Sequence, residues 1–221
     1  MTIFVFFKVQ NIDCTGESFY SNSEVIAVSN LKVGQNLFLL DTKKIAKNIE
    51  EKLPYSENVK IIRQIPDKLI ISTVKAKNYL SVEFNGQNVF LSSKLKVLDI
   101  SNDSSDESIK VKGLSLDRFE IGKSVVFSEG INETNFLELL NLLEKNMLIN
   151  NIKTIDFSNP TSIIINYDNR INIKLGLFEK IEYKLKTAVE LIQNKIPYFE
   201  KGDLDLSMLV SDNRSYFNPN N

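Results

Sequence analysis

A chain of 221 residues with 43% hydrophobic content can fill one large core or two small ones, and a change of texture near its middle favours two. Its 27 basic and 28 acidic residues are spread along the sequence, so a net charge of −1 offers no field for a polyanion, and nucleic acid is not expected as a partner. With no histidine and one cysteine, a histidine general base, a cysteine-rich zinc site and an internal disulfide are excluded by inventory.

The sequence opens with Ile3-Phe4-Val5-Phe6-Phe7, which is apolar but far shorter than the roughly 20 residues that cross a bilayer. These residues read either as the beginning of a first strand over 7–13 or as the tail of a truncated membrane helix. Gly16 and the polar run 17–22 lead into a short helical pattern carried by Val25, Ile26 and Ser29. Asp41 is placed to cap a second helix whose Ile45, Ala46, Ile49 and Leu53 share one face, and Pro54 stops it. Residues 59–65 and 69–74 are rich in β-branched side chains and flank Pro66-Asp67, a turn that a strand interior would not tolerate. The order is strand, helix, helix, strand, strand. Cys14, at the end of the first strand, is expected to pack into this core.

Beyond Val74 the strands shorten. Leu80, Val82 and Phe84 alternate, Asn85-Gly86 is a strong two-residue hairpin signal, and residues 89–91 return. A further strand is expected over 96–100. The run 101–108 is polar; its acids Asp103, Asp106 and Glu107 lack the central glycine and distal glutamate of a calcium loop, so it reads as solvated loop. Asn132 can cap a helix with Phe136, Leu140, Leu143 and Met147 on one face, a stripe read as core. Ile155 and Phe157 alternate before Ser158-Asn159-Pro160. Residues 163–167 and 170–175 then form a hairpin across Asp168-Asn169. A long helix, its face set by Phe178, Ile181, Leu185, Ala188 and Ile192, ends before Pro197. A short final strand begins at Leu204, and an Asn-rich tail follows. The class is α+β.

The first half resembles the POTRA domain of the FtsQ/DivIB family of bacterial cell-division proteins. The matching residues are Phe7-Lys8-Val9-Gln10-Asn11-Ile12 with Gly16, Gly34-Gln35-Asn36-Leu37-Phe38 with Asp41, and Arg63-Gln64-Ile65-Pro66 followed by Leu69 and Ile71. The second half is similar to the β domain of that family in its Gram-positive form, through Gly113, the helix from Asn132, the 152–157 strand, Ile171-x-Ile173-x-Leu175-Gly176, Lys184 and Gly202-x-Leu204-Asp205-Leu206-Ser207. The acidic-then-proline signature expected after the POTRA strand is replaced by Ala76-Lys77-Asn78-Tyr79, and the Asp-x-x-Gly turn by Ser92-Ser93-Lys94-Leu95, so no role is assigned between Val74 and Gly113. The resemblance implies a POTRA domain over 7–76, helices on a three-stranded sheet. A larger mixed α+β domain with a mainly antiparallel sheet and two helices follows over 77–210, and a tail over 211–221. It also implies a single membrane helix directly before the first strand, which favours reading 1–6 as an anchor remnant.

Three short stretches match motifs of penicillin-recognising enzymes, Ser93-x-x-Lys96, Ser211-Asp212-Asn213 and, one residue off, Lys186-Thr187-Ala188. The expected nucleophile, Ser93, falls between strands instead of opening a buried helix, and the order of the motifs is wrong, so coincidence is the better account. No catalysis, metal or cofactor is expected.

What the resemblance implies is a scaffold of the division machinery on the outer side of the cytoplasmic membrane. Its implied partners are of the DivIC/FtsB and FtsL types, with a septal penicillin-binding protein as a further one. The alternative is a POTRA-containing subunit that handles polypeptides in export or outer-membrane assembly. The partner site is expected at the C-terminal end, where Leu204, Asp205, Leu206 and Ser207 form a terminal, edge-like strand and Met208 and Leu209 continue it without charge. The family binds its coiled-coil partner there by strand addition, and Tyr216 and Phe217 are candidate anchors. Burial of 208–210 in the protein's own core is the other reading of the same residues.

Overall fold

A computed structural model describes residues 7–102, 107–128, 132–159 and 161–219. The expectations for residues 1–6, for 103–106 of the polar loop and for the break at Pro160 lie outside these. The described residues form two compact units. The first is residues 7–78 with Val89–Ile100 and Phe119–Val125; the second is Tyr79–Asn88, Ser101–Arg118 and the chain from Val126 onward.

The first unit begins with β1 (Asn11–Gly16), four residues later than the sequence pattern suggests. Residues 7–9 are diverted because their backbone is stitched to the following loop: Val9 N donates to Gln35 O at 2.9 Å, Gly34 N to Val9 O at 2.8 Å and Leu37 N to Phe7 O at 2.9 Å. Helix α1 (Asn22–Ser29) is opened by a capping box that the sequence reading missed, with Ser21 N donating to the Glu24 carboxylate and Glu24 N donating back to Ser21 Oγ. Asp41 caps α2 (Thr42–Lys52) as expected, accepting from Lys44 N at 3.0 Å. The hairpin of β2 (Ser56–Gln64) and β3 (Lys68–Lys75) follows. The sheet order is β1-β3-β2, with β1 parallel and β2 antiparallel to β3. Val9, Val25, Leu37, Ile49, Leu69 and Ile71 fill the core between helices and sheet. Cys14 packs half-buried against it, and burial, then the neighbouring Asp13 charge, pushes its thiol pKa up. A Cβ at Gly16, whose φ is +90°, would meet the Thr73 carbonyl, so the β1–β3 approach requires glycine.

The chain continues through β4 (Leu80–Phe84), β5 (Gln87–Leu91) and β6 (Val97–Ser101). Asn85 and Gly86 both take positive φ, as a type I′ turn requires. Most of β5 and β6 belongs to the first unit, where the buried Lys96 Nζ donates to Ser56 O at 2.6 Å. Ser93 is exposed in the turn before it, and that lysine is committed to a backbone carbonyl.

In the second unit β7 (Ile109–Lys112) is followed by a small antiparallel pair, β8 (Leu116–Arg118) and β9 (Val126–Phe127). Then come α3 (Glu133–Lys145), β10 (Ile152–Asp156), β11 (Ile163–Tyr167), β12 (Ile171–Gly176), α4 (Ile181–Asn194), β13 (Gly202–Asp205), the single turn α5 (Leu209–Asp212) and β14 (Tyr216–Pro219). The sheet runs β14-β13-β12-β11-β10-β7-β4 through this unit. It is a mixed sheet. The pairs β10–β11, β11–β12 and β13–β14 are antiparallel, but β4–β7, β7–β10 and β12–β13 are parallel. In β7–β10 and β12–β13 the connections contain the crossover helices α3 and α4, which return the chain in the same direction, whereas β4 and β7 are joined through β5 and β6.

Asn132 caps α3 through Asn135 N at 3.0 Å. Phe136, Leu139, Leu140 and Leu143 are buried, but Met147 is not part of the stripe. Its φ of +57° ends the helix in a Schellman arrangement, with Leu148 N bonded to Leu143 O and Met147 N to Glu144 O, so Leu148 takes the buried place and Met147 is exposed. Ile155, Ile163, Ile165, Ile171, Ile173 and Leu175 supply the sheet side of this core.

Candidate partner-binding edge

The C-terminal residues differ from the expected pattern in one decisive respect: the strand at Leu204 is interior. β13 pairs with β12 on one side, Ile173↔Leu204, and with β14 on the other, Leu204↔Phe217. Tyr216-Phe217-Asn218-Pro219, in sequence part of an Asn-rich tail, forms this strand, and an edge strand that ends on proline needs no donor there. Among the described residues β14 is one of the two edge strands of its sheet, β6 being the other.

The expected site residues therefore separate. Leu204, Leu206 and Leu209 are buried in the protein's own core. Asp205 accepts from Ser207 N at 2.9 Å and Ser207 Oγ at 2.6 Å, so the Ser207 donor serves an internal turn and is not open to a partner strand. Met208 is exposed but starts α5, so no extended run through 208–210 exists. Tyr216 and Phe217 lie on β14, Tyr216 49% exposed and Phe217 half-buried over Gly202.

The direction of the backbone groups follows from the ladder. Gly202 N donates to Arg170 O and Leu206 N to Lys174 O, both toward β12. Asp203 and Asp205 consequently face β14, where they oppose Asn218 and Tyr216. That leaves the N–H and C=O of Phe217 directed away from β13, as the open rung of the edge. Across β12 and β13 the outward face is held by Lys174 Nζ on Asp203 at 2.6 Å and by Asn172 Nδ2 on Asp203 at 2.9 Å. These two donors hold the Asp203 carboxyl below its usual pKa, and the Asp203 hydrogen bond raises that of Lys174.

Two aromatic residues that the sequence reading passed over sit where the chain enters β13. Glu200 N donates to Pro197 O at 3.0 Å, closing a turn, and Arg170 Nη1 donates to both Pro197 O and Glu200 O at 2.9 Å. The turn presents Tyr198 at 86% and Phe199 at 70% exposure, their rings edge to face at 5.7 Å. It precedes Gly202, the residue opposite Pro219, and so flanks one end of the open edge. Adjacent aromatics after a helix-ending proline were the available signal.

Lys184 is fully buried in α4, with Nζ donating to Leu175 O at 2.7 Å and Leu177 O at 2.8 Å. Burial lowers its pKa, and the amine fixes the β12–α4 loop. Ser211 and Asp212 fall in α5 and Lys186 in α4, separate elements from the Ser93 turn. Among the described residues no cluster of three or more acidic or cysteine side chains could hold a metal, and no helix is long and apolar enough to cross a membrane.

The first unit and the mixed-sheet unit after it define a POTRA-bearing, two-unit α+β protein. Residues 7–74 match the family described as POTRA domain, FtsQ-type. The chain is 29% identical over 207 residues to the cell division protein DivIB of Clostridium acetobutylicum, covering 91% of this chain and 80% of the relative. It is 29% identical to that of Clostridium botulinum (strain Loch Maree) over 208 residues, 91% and 79% of the two chains. Among solved structures it is similar to the major extracytoplasmic domain of DivIB from Geobacillus stearothermophilus, at 9% identity and a TM-score of 0.32, over 56% of this chain and 98% of that one. Residues 7–74 thus match the FtsQ-type POTRA family, and the chain as a whole is similar to the DivIB cell-division proteins.

Proposed function

We propose that this protein is a non-enzymatic scaffold of the bacterial division machinery, acting at the septum on the outer side of the cytoplasmic membrane. It binds DivIC/FtsB-type and FtsL-type partners by strand addition to the outer edge of β14. The observation that carries the proposal is the open rung at Phe217, beside the exposed Tyr216 and the Arg170-held aromatic turn. Main-chain pairing supplies the bonds, and Tyr216, Tyr198 and Phe199 supply apolar area for side chains of the added strand. The division names of the relatives support this reading over polypeptide export. The test is a pull-down with the chain and with Phe217→Pro, which removes the outward donor from an edge position. Binding should be lost in the variant while its far-ultraviolet circular dichroism is kept. Equal capture by both would place the partner elsewhere.

A further inference from the structure

The loop between α1 and α2 carries Val33, Phe38 and Leu39 at 65%, 51% and 71% exposure, in a segment that is otherwise firmly held. Leu31 and Leu37 of the same loop are buried. The three backbone bonds to residues 7–9 described above fix its position, and Asn36 caps Phe38 N at 2.9 Å. From β2, Arg63 reaches across to clamp both ends of the bend, Nε to Leu37 O at 2.7 Å and Nη2 to Leu40 O at 2.6 Å. A loop held at this many points does not leave apolar side chains in water through slackness; it presents them.

Two further observations say to what. Phe7 packs edge to face on Phe38 at 5.1 Å, and Phe7 is the last residue of the apolar run Ile3-Phe4-Val5-Phe6-Phe7, so the exposed side chains lie beside the point where that run joins the fold. The surrounding charges are basic: Lys8, Lys32, Lys43 and Lys44 are exposed around the loop. One acid, Asp41, sits among these four lysines as the cap of α2, so the rim keeps a positive excess. Apolar tips with a lysine rim are the composition that seats a surface in the headgroup region of an anionic bilayer, with the tips at the acyl boundary and the amines on the phosphates.

We infer that the Val33–Leu39 loop of the first unit is a membrane-contact face, and that its occupant is an anionic lipid surface. The inference is independent of the partner site, because strand addition at β14 can be measured without vesicles and either can fail alone.

The chain contains no tryptophan, so Leu39→Trp provides a single emitter at the tip. Phosphatidylcholine vesicles containing phosphatidylglycerol should move its emission to shorter wavelength, and vesicles of phosphatidylcholine alone should do so less. Phe199→Trp, in the second unit, should not shift. Phe38→Asp with Leu39→Asp should lower vesicle partition by about tenfold or more, since two half-exposed apolar side chains lose their acyl contacts. The inference is overturned if Leu39→Trp does not respond, if Phe199→Trp responds equally, or if the double variant partitions as well as the parent. It is also overturned if Leu39→Trp already emits at short wavelength without vesicles, which would mean that the chain covers its own loop. Both substituted side chains are exposed, so the variants should keep the circular dichroism of the parent.

Discussion

Gly202→Ala tests whether β14 is a separately releasable edge. A Cβ at Gly202 would lie well inside van der Waals contact with the Asn218 carbonyl oxygen and 2.9 Å from Phe217 Cζ, so β13 and β14 could not keep their spacing. The chain can either distort β13, which is locked to β12 through Gly202 N and Leu206 N, or release β14. Half-burial of Phe217 contributes about 1–1.5 kcal/mol, and about four ladder bonds contribute about 1 kcal/mol each. Ordering the strand costs about 1 kcal/mol per residue for about four residues. The net docking energy of β14 is therefore only about 1–2 kcal/mol. Release is the cheaper route, and it caps the penalty: urea unfolding of Gly202→Ala should show a loss of no more than about 2 kcal/mol. Hydrogen exchange should show Tyr216 and Asn218 amides unprotected, with β12 amides unchanged. Partner binding should fall with them. A loss above about 4 kcal/mol, or full protection of Asn218, would refute the reasoning.

The remaining predictions concern local devices. Asp41→Ala removes the side-chain acceptor for Lys44 N and should cost the first unit about 1 kcal/mol in a thermal or urea melt. The folded-state pKa of Asp203 lies below its unfolded value, so its stabilisation is present above the ordinary carboxylate pKa of about 3.9 and lost as pH falls through the lower folded value. Stability measured downward from pH ~5 should accordingly drop less steeply in Asp203→Asn than in the parent. A fragment ending at Ala76 should unfold cooperatively as a domain of its own. Its midpoint should be lower than that of the first unit in the full chain, because it lacks Lys96 on the Ser56 carbonyl and Gly122 against Glu51.

Where local chemistry decided the structure, it was legible. Asp41, Asn132, the Asn85-Gly86 turn and the Asp168-Asn169 turn each act as the residue types dictate, and the β-α-α-β-β order of the first unit follows from periodicity. What could not be read depended on distant partners. Nothing local shows that residues 7–9 bond the 34–37 loop and delay β1, or that the α3 and α4 crossovers make the β7–β10 and β12–β13 pairings parallel. The site shows the same division. Tyr216 and Phe217 enter as candidate anchors through the family resemblance, whereas the interior position of Leu204 and the internal use of the Ser207 donor depend on the strand order. Tyr198 and Phe199 gain their meaning only through Arg170, 27 and 30 residues before the carbonyls it holds.

The most direct measurement of the central claim is the exchange rate of the Phe217 amide in the chain alone and with the extracytoplasmic segment of a DivIC/FtsB-type partner bound. Free, this outward N–H should exchange quickly while the inward amides of Tyr216 and Asn218 are protected. Strand addition at β14 predicts that Phe217 becomes protected on binding. Partner binding with the Phe217 rate unchanged would contradict the account.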